Sequence, residues 1–412
     1  MKLNLITFAS SLASRESVFA DHKKMLDKIA KKYEVNYIFP EDLGDTPPEG
    51  LTMVFVGSGG VEEMVAANIN RLPQYVVLIA DGLKNSLAAS LEILSWLRLE
   101  GRNGRVIHGT LNNIIADIDE IAEIQEIADK IRGQRVGVIG KPSGWLIASG
   151  VDYEAVRDKW GVELVDCKLS QVVELFKVFE FGNPDEVYNS LIKKAEGVKE
   201  TTREGLMEAM KLSVILNGMC SIHNLDAFTV NCFDLIPELH TTGCLALSDI
   251  NGFGIPAGCE GDIQTLLTML VVKAATGQPS FMANPSQIIS KARQEMVFAH
   301  CTITRSMTDR FFYRSHYESG IGAAIQGIID PTEVTVVKCG GRKMENFFVS
   351  EALVLDCPDD PAMCRTQLKL RLDEPLDYFL NRSIGNHHVI VRGDHCAKLS
   401  KVFKFLGSNS VI

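Results

Sequence analysis

The chain has 412 residues, more than one ordinary hydrophobic core serves, so two or three domains are expected. Its 46% hydrophobic and 23% charged residues are a globular composition, and a formal net charge of -10 without a Lys/Arg run argues against a nucleic-acid surface and for a small-molecule or protein partner. No segment approaches the roughly 18 apolar residues of a membrane span. Ten cysteines without a CxxC pair leave out zinc-ribbon and thioredoxin motifs and read as reduced thiols of a cytoplasmic protein.

In chain order, "MKLNLITFASSLAS" carries one lysine and a short apolar run, the outline of a signal peptide. Asn4 and Thr7 interrupt the run and Arg15-Glu16 follows, so a first strand with a Ser-rich turn is predicted. The amphipathic "SVFADHKKMLDKIAKKY" predicts a helix, and "VNYIF", "TMVFVGSGG" and "YVVLIADG" predict strands before the helix "NSLAASLEILSWLRLEG". Near-continuous apolar strands between helices mean a parallel sheet covered on both faces. Residues 1–132 therefore read as one doubly wound α/β domain. Gly57-Ser58-Gly59-Gly60 ends a strand where such sheets bind ligands, but it is neither GxGxxG nor Walker sequence, so no nucleotide is indicated.

"QRVGVIGKPSGWLIAS" restarts the pattern with a strand and a turn carrying Lys141, Ser143 and Trp145. Helices are predicted around 152–160, 169–178, 184–195 and 201–221. "AFTVNCFDLI" reads as a strand running into a turn, and "GCLALSDINGFGIPAGCEGD" leads to an apolar helix. Residues 133–312 make a second α/β domain. "EVTVVKCGG", "NFFVSEALVLDC" and "TQLKLRL" are short β-type runs, so 313–412 reads as a β-rich C-terminal domain closing with "GNHHVIVRGDH" and a last helix.

Glu260 and Asp262 of "CEGD" stand at a strand-to-helix junction. Acidic groups there cap the helix; they also stay ionised, as hard metal ligands or proton carriers do. Asp234 of "NCFDL" is a helix cap or a second functional carboxylate. His300 ends the apolar run "EMVFAH" as a core histidine or a ligand, and His316 with Glu318 is equally open. Adjacent strand residues face opposite ways, so at most one of His387 and His388 faces a given site. A mixed Glu/Asp/His set without thiolate spacing suits Mn²⁺, Mg²⁺ or Fe²⁺ more than structural zinc, a preference that the neighbouring Cys259 and Cys301 could shift.

"GFGIPAGCEGDIQTLLTML", "FMANPSQI…VFAHC" and "GNHHVIVRGDH", in this order, resemble the L-fucose isomerase/L-arabinose isomerase family, in its shorter fucose isomerase-like branch. The resemblance implies two Rossmann-like doubly wound domains with parallel sheets, a β-rich C-terminal domain, and a homo-oligomer, trimer or hexamer, with sites near subunit contacts. It implies a metal-dependent aldose–ketose isomerase acting on a free sugar through an enediolate, with Mn²⁺ or another divalent cation such as Mg²⁺, Fe²⁺ or Co²⁺. Carried over by position, the metal block falls on Glu260 as in the arabinose branch or Asp262 as in the fucose branch, with His300 and His388 as further ligands and His387 beside them. The family's second carboxylate does not align with "NCFDL", and Asp234 stands in for it, sharing the proton transfers with Glu260. Lys141, Ser143 and Trp145 are candidate sugar-binding residues or an ordinary turn, and His387 a further sugar contact. The departure at "NCFDL" keeps open a sugar-binding or regulatory protein of the same fold, and the same groups would serve an epimerase or aldolase.

Overall fold

In a computed structural model, residues 2–10 and 13–412 are described. The Ser-rich turn expected after the first strand lies partly outside them. The chain divides into two compact units, residues 1–129 with 404–407, and residues 130–403 with 408–412. Both contain parallel sheets, and the second also contains an antiparallel barrel.

The first unit is built on a five-stranded parallel sheet in the order Glu34–Ile38, Lys2–Phe8, Leu51–Val56, Tyr75–Ile79, Asn103–Ile107. Leu51–Val56 is buried at every position, the pattern of a central strand covered on both faces. The expected helix over 17–33 is broken at His22 into Arg15–Asp21 and Lys23–Ala30. His22 is buried because its ring is held at both nitrogens, by Asp81 Oδ2 at 2.6 Å and the Gly57 carbonyl at 2.8 Å.

In the second unit a four-stranded parallel sheet runs Ala257–Gly258, Ala227–Val230, Arg135–Ile139, Glu163–Cys167. The helices Tyr153–Trp160, Leu169–Val178, Pro184–Ile192 and Arg203–His223 fall close to the predicted ranges. Their starts follow from side-chain caps, such as Thr202 accepting the Gly205 N–H at 3.0 Å. "NCFDL" departs from expectation. It is the start of a helix, Cys232–Leu239, because Asn231 accepts the Asp234 N–H as its N-cap.

The strands Glu333–Gly340, His388–Arg392, Phe281–Ser290, Glu295–His300, Thr366–Leu372 and Asn346–Asp356 pair antiparallel in that order, and the last pairs back with the first. The sheet therefore closes into a six-stranded barrel without free edges. The first two of these strands in sequence, Phe281–Ser290 and Glu295–His300, precede residue 313 yet belong to this barrel. Helix Ile263–Thr276 packs both on the parallel strands and on barrel strands Glu333–Gly340 and His388–Arg392. That placement buries every residue from Ile263 to Val272, so the helix is mostly apolar there and its polar side chains, Gln264, Thr265 and Thr268, are hydrogen-bonded. No helix among the described residues is long and apolar enough to cross a membrane.

The turn into this helix is tight. Gly261 sits at φ +72°, and a Cβ there would lie 2.6 Å from Pro142 Cα and 2.9 Å from the Lys141 carbonyl. Gly261→Ala meets backbone that has nowhere to move. A loss of about 2–4 kcal/mol of unfolding free energy is expected from the left-handed conformation and the clash together. Urea unfolding checks this; a change within experimental error would mean the turn relaxes freely.

Candidate metal centre

The carboxyl ends of Ala227–Val230 and Ala257–Gly258 bring the Cys259–Asp262 turn to the edge of the parallel sheet. Glu260 there has φ +63°, left-handed backbone that non-glycine residues avoid at a cost of roughly 1–2 kcal/mol. The conformation is held by the Ser143 N–H on the Glu260 carbonyl at 2.9 Å and the Gly261 N–H on the Val230 carbonyl at 3.1 Å. It aims the carboxylate inwards. Its Oε2 accepts the Trp145 indole N–H at 2.7 Å, and Oε1 lies 3.5 Å from His387 Nε2 and 3.7 Å from His300 Nε2.

His300 ends the barrel strand Glu295–His300, opposite Thr366, and its Nδ1 is 3.1 Å from the Thr302 hydroxyl. His387 immediately precedes strand His388–Arg392. Its Nδ1 donates to Asp262 Oδ2 at 2.9 Å, leaving Nε2 as the free nitrogen. That nitrogen is buried without a hydrogen-bond partner among the described residues. One oxygen of Glu260 and one nitrogen each of His300 and His387 all lie within 4.8 Å of one another. All three residues are buried.

Asp262 is fully buried and has four partners. Oδ1 caps the helix by accepting the Thr265 N–H at 2.9 Å. Oδ2 takes the Thr265 hydroxyl at 2.8 Å and His387 Nδ1, and Lys338 Nζ stands 3.8 Å away. Burial works against its charge, but Lys338 and His387 outweigh burial and hold the carboxyl well below the usual carboxylate range. Glu260 is held down in the same way, burial being overcome by His300 and His387. His387 is opposed by burial and raised on balance by Asp262 and Glu260.

Charge explains the grouping. Asp262 and Glu260 are two buried anions, and Lys338 is one buried cation. The remaining negative charge calls for a proton on His387 or for a cation between Glu260, His300 and His387. The residues fit a divalent ion. A carboxylate oxygen and two imidazoles suit Mn²⁺, Fe²⁺, Co²⁺ or Zn²⁺, and Asp262 behind His387 is the outer partner that metal-ligating histidines usually have.

Of the residues singled out in the sequence, the structure brings Glu260, His300 and His387 together, with Asp262 behind His387 and Trp145 behind Glu260. His388 is turned to the other face, because successive strand residues alternate. Its Nδ1 donates to the Asn386 carbonyl at 2.9 Å, and its Nε2 accepts the Tyr378 hydroxyl at 3.0 Å. Burial and the Lys338 charge push its pKa down to about 3. It is a neutral imidazole among Phe298, Phe348 and Phe379. Asp234 is exposed in the first turn of its helix, where its carboxylate accepts from the Asn231 side chain at 2.8 Å. The Lys141 side chain is exposed, and the Ser143 hydroxyl is buried without a partner among the described residues.

The cavity beside Glu260 and His300 is lined further by Phe233, Asn284, His316 and Glu318. Asn284 Oδ1 is buried and unpartnered among the described residues. Asn284 lies in "FMANPSQI", where the run of small and polar residues inside a strand was a signal. Lys338 gave none, since a lysine within "VTVVKCGG" reads as a solvent-facing strand residue.

No family model matches the chain. Over 241 residues it is 20% identical to the sulfoquinovose isomerase of Clostridium sp. (strain MSTE9), a stretch covering 57% of this chain and 54% of that protein. The chain thus spans about half the length of the curated relative it matches.

Lys338→Met removes the one buried ammonium beside Asp262. The expected loss is about 3–5 kcal/mol at neutral pH, read by urea unfolding. Because Asp262 and Glu260 titrate below their ordinary values, their contribution to stability is present at neutral pH and is lost as pH falls below about 4. A Lys338→Met protein as stable as wild type would contradict this charge arrangement.

Proposed function

We propose that the protein is a divalent-metal-dependent aldose–ketose isomerase acting on a free sugar, with Glu260, His300 and His387 as the metal-holding set. The observation that carries the reading is the unpartnered His387 Nε2 facing Glu260 Oε1, with Asp262 fixing the other ring nitrogen. The relative named for isomerising a sugar supports it, as does the order of the three blocks that resemble the fucose/arabinose isomerase family.

When bound, a divalent ion supplies Lewis-acid polarisation of a sugar carbonyl and stabilisation of the enediolate. The chain supplies the rest. Asp262 keeps the Nε2 lone pair of His387 directed at the site, and the Trp145 N–H occupies one Glu260 oxygen so that the other is presented. Asn284 Oδ1 is a waiting acceptor for a sugar hydroxyl. Moving a carbonyl between neighbouring carbons also needs a carboxylate that takes a proton from one carbon and returns it to the next. Both Glu318 and Asp234 are exposed, but Glu318 lines the same cavity as Glu260, whereas Asp234 is engaged in its own helix turn. We therefore assign the proton transfer to Glu318 in place of Asp234.

A panel of aldoses and ketoses, sulfoquinovose among them, tests this with Mn²⁺ supplied. Glu260→Gln is expected to abolish turnover in a folded protein. Glu318→Gln lowers kcat by about 10²–10⁴-fold, the usual worth of a general base, and Asp234→Asn leaves it nearly unchanged. The reverse ranking of Glu318 and Asp234 would overturn the assignment. Sugar binding without turnover across the panel would leave a binding protein instead.

A further inference from the structure

The wall of the Glu260 cavity also carries a cluster of soft donors. Cys244 opens helix Cys244–Gly252, Cys301 follows strand Glu295–His300, and His316 stands just beyond strand Arg310–Arg314. One sulfur each from Cys244 and Cys301 and a ring nitrogen of His316 lie within 4.8 Å of one another. All three residues are buried, at 3%, 1% and 7% exposure. A third thiol, Cys364, from the loop before strand Thr366–Leu372, packs against the same pair, and it lines the same cavity. The cysteines have no disulfide partner.

We propose that Cys244, Cys301, Cys364 and His316 form a second cation site, thiolate-rich, which takes a borderline-soft divalent ion of the Zn²⁺ class. The donor set is three sulfurs and one imidazole, a common tetrahedral zinc environment with Zn–S near 2.3 Å. At that bond length tetrahedral sulfurs stand roughly 3.7 Å apart, so Cys244, Cys301 and His316, already within 4.8 Å of one another, need only a small contraction, and Cys364, packed beside the pair, closes in as the fourth ligand. His316 Nδ1 faces Ser319, 2.9 Å from its hydroxyl and accepting its backbone N–H at 3.4 Å, contacts that fix the ring. Phe233 packs edge-on against the ring, at 5.8 Å between centroids.

A single buried cysteine is an ordinary small apolar side chain. Two thiols and an imidazole drawn from three separate segments to one point, with a third thiol from a fourth segment packed against them, are a different arrangement. The neighbouring centre offers oxygen and nitrogen, so the two sites differ in softness and sort metals by it. They are also joined, since His300 belongs to one and Cys301 to the other. An ion held by the thiolates would tie the loop carrying His316 and Glu318 to the cavity wall. Binding releases the thiol protons to solvent and involves no change of oxidation state.

Cobalt(II) is the probe. Reduced, metal-free full-length protein is titrated with Co²⁺, and the sulfur-to-cobalt charge-transfer absorption is recorded. The expected result is a band that saturates at one Co²⁺ per chain, is displaced by Zn²⁺, persists in Glu260→Gln and falls to background in Cys244→Ser and Cys364→Ser. Circular dichroism checks that each variant is folded. If the serine variants do not fold, alkylation of the wild type decides: Zn²⁺ protects Cys364, the partly exposed member of the set, while Cys396 still reacts. The proposal is overturned by a folded wild type with no sulfur band, by a band that survives both serine substitutions, by one lost in Glu260→Gln, or by equal alkylation with and without Zn²⁺.

Discussion

Asp262 sits at the start of a helix that is buried on every side, and its single carboxylate caps that helix, faces Lys338 and holds Nδ1 of His387. These three tasks link the parallel sheet, the helix and two strands of the barrel. Burying the carboxylate is tolerable only because Lys338 and the His387 N–H answer its charge. Their positions in turn set where His387 Nε2 points. The candidate metal centre thus follows from how one buried charge is neutralised.

Glu260 adds the second half. Its left-handed backbone is strained, and the strain is sustained by the turn through Pro142 and Ser143 on one side and Gly261 on the other. Strain of this kind gathers where a side chain must be aimed. Here it turns the Glu260 carboxylate onto two imidazoles of the barrel, one at the end of a strand and one just before another. Nearby, the softer donors Cys244, Cys301, Cys364 and His316 gather on the wall of the same cavity.

Much of this was legible in the sequence, and the limits are physical. The carboxylates before an apolar helix read as a cap or a site; Asp262 is the cap, and the Glu260 carboxylate lines the cavity. The alternation of strand residues showed that only one of His387 and His388 could face the centre. Which one depends on barrel register, where His388 pairs with Ala283, and register is decided by partners distant in sequence. Lys338 was unreadable because the charge that justifies it lies in another element. The thiol cluster escaped because its members come from four segments without a spacing rule. Asp234 stands exposed in a first helical turn, where an acidic residue is ordinary in any helix.

Manganese binding, followed by electron paramagnetic resonance on the full chain, tests the central claim most directly and requires no knowledge of the sugar. Wild type and two variants, His387→Ala and His388→Gln, are titrated side by side. The account predicts tight binding in wild type, retention in His388→Gln and loss in His387→Ala, with both variants folded. Binding that is lost in His388→Gln and kept in His387→Ala, or absent from folded wild type, would contradict it.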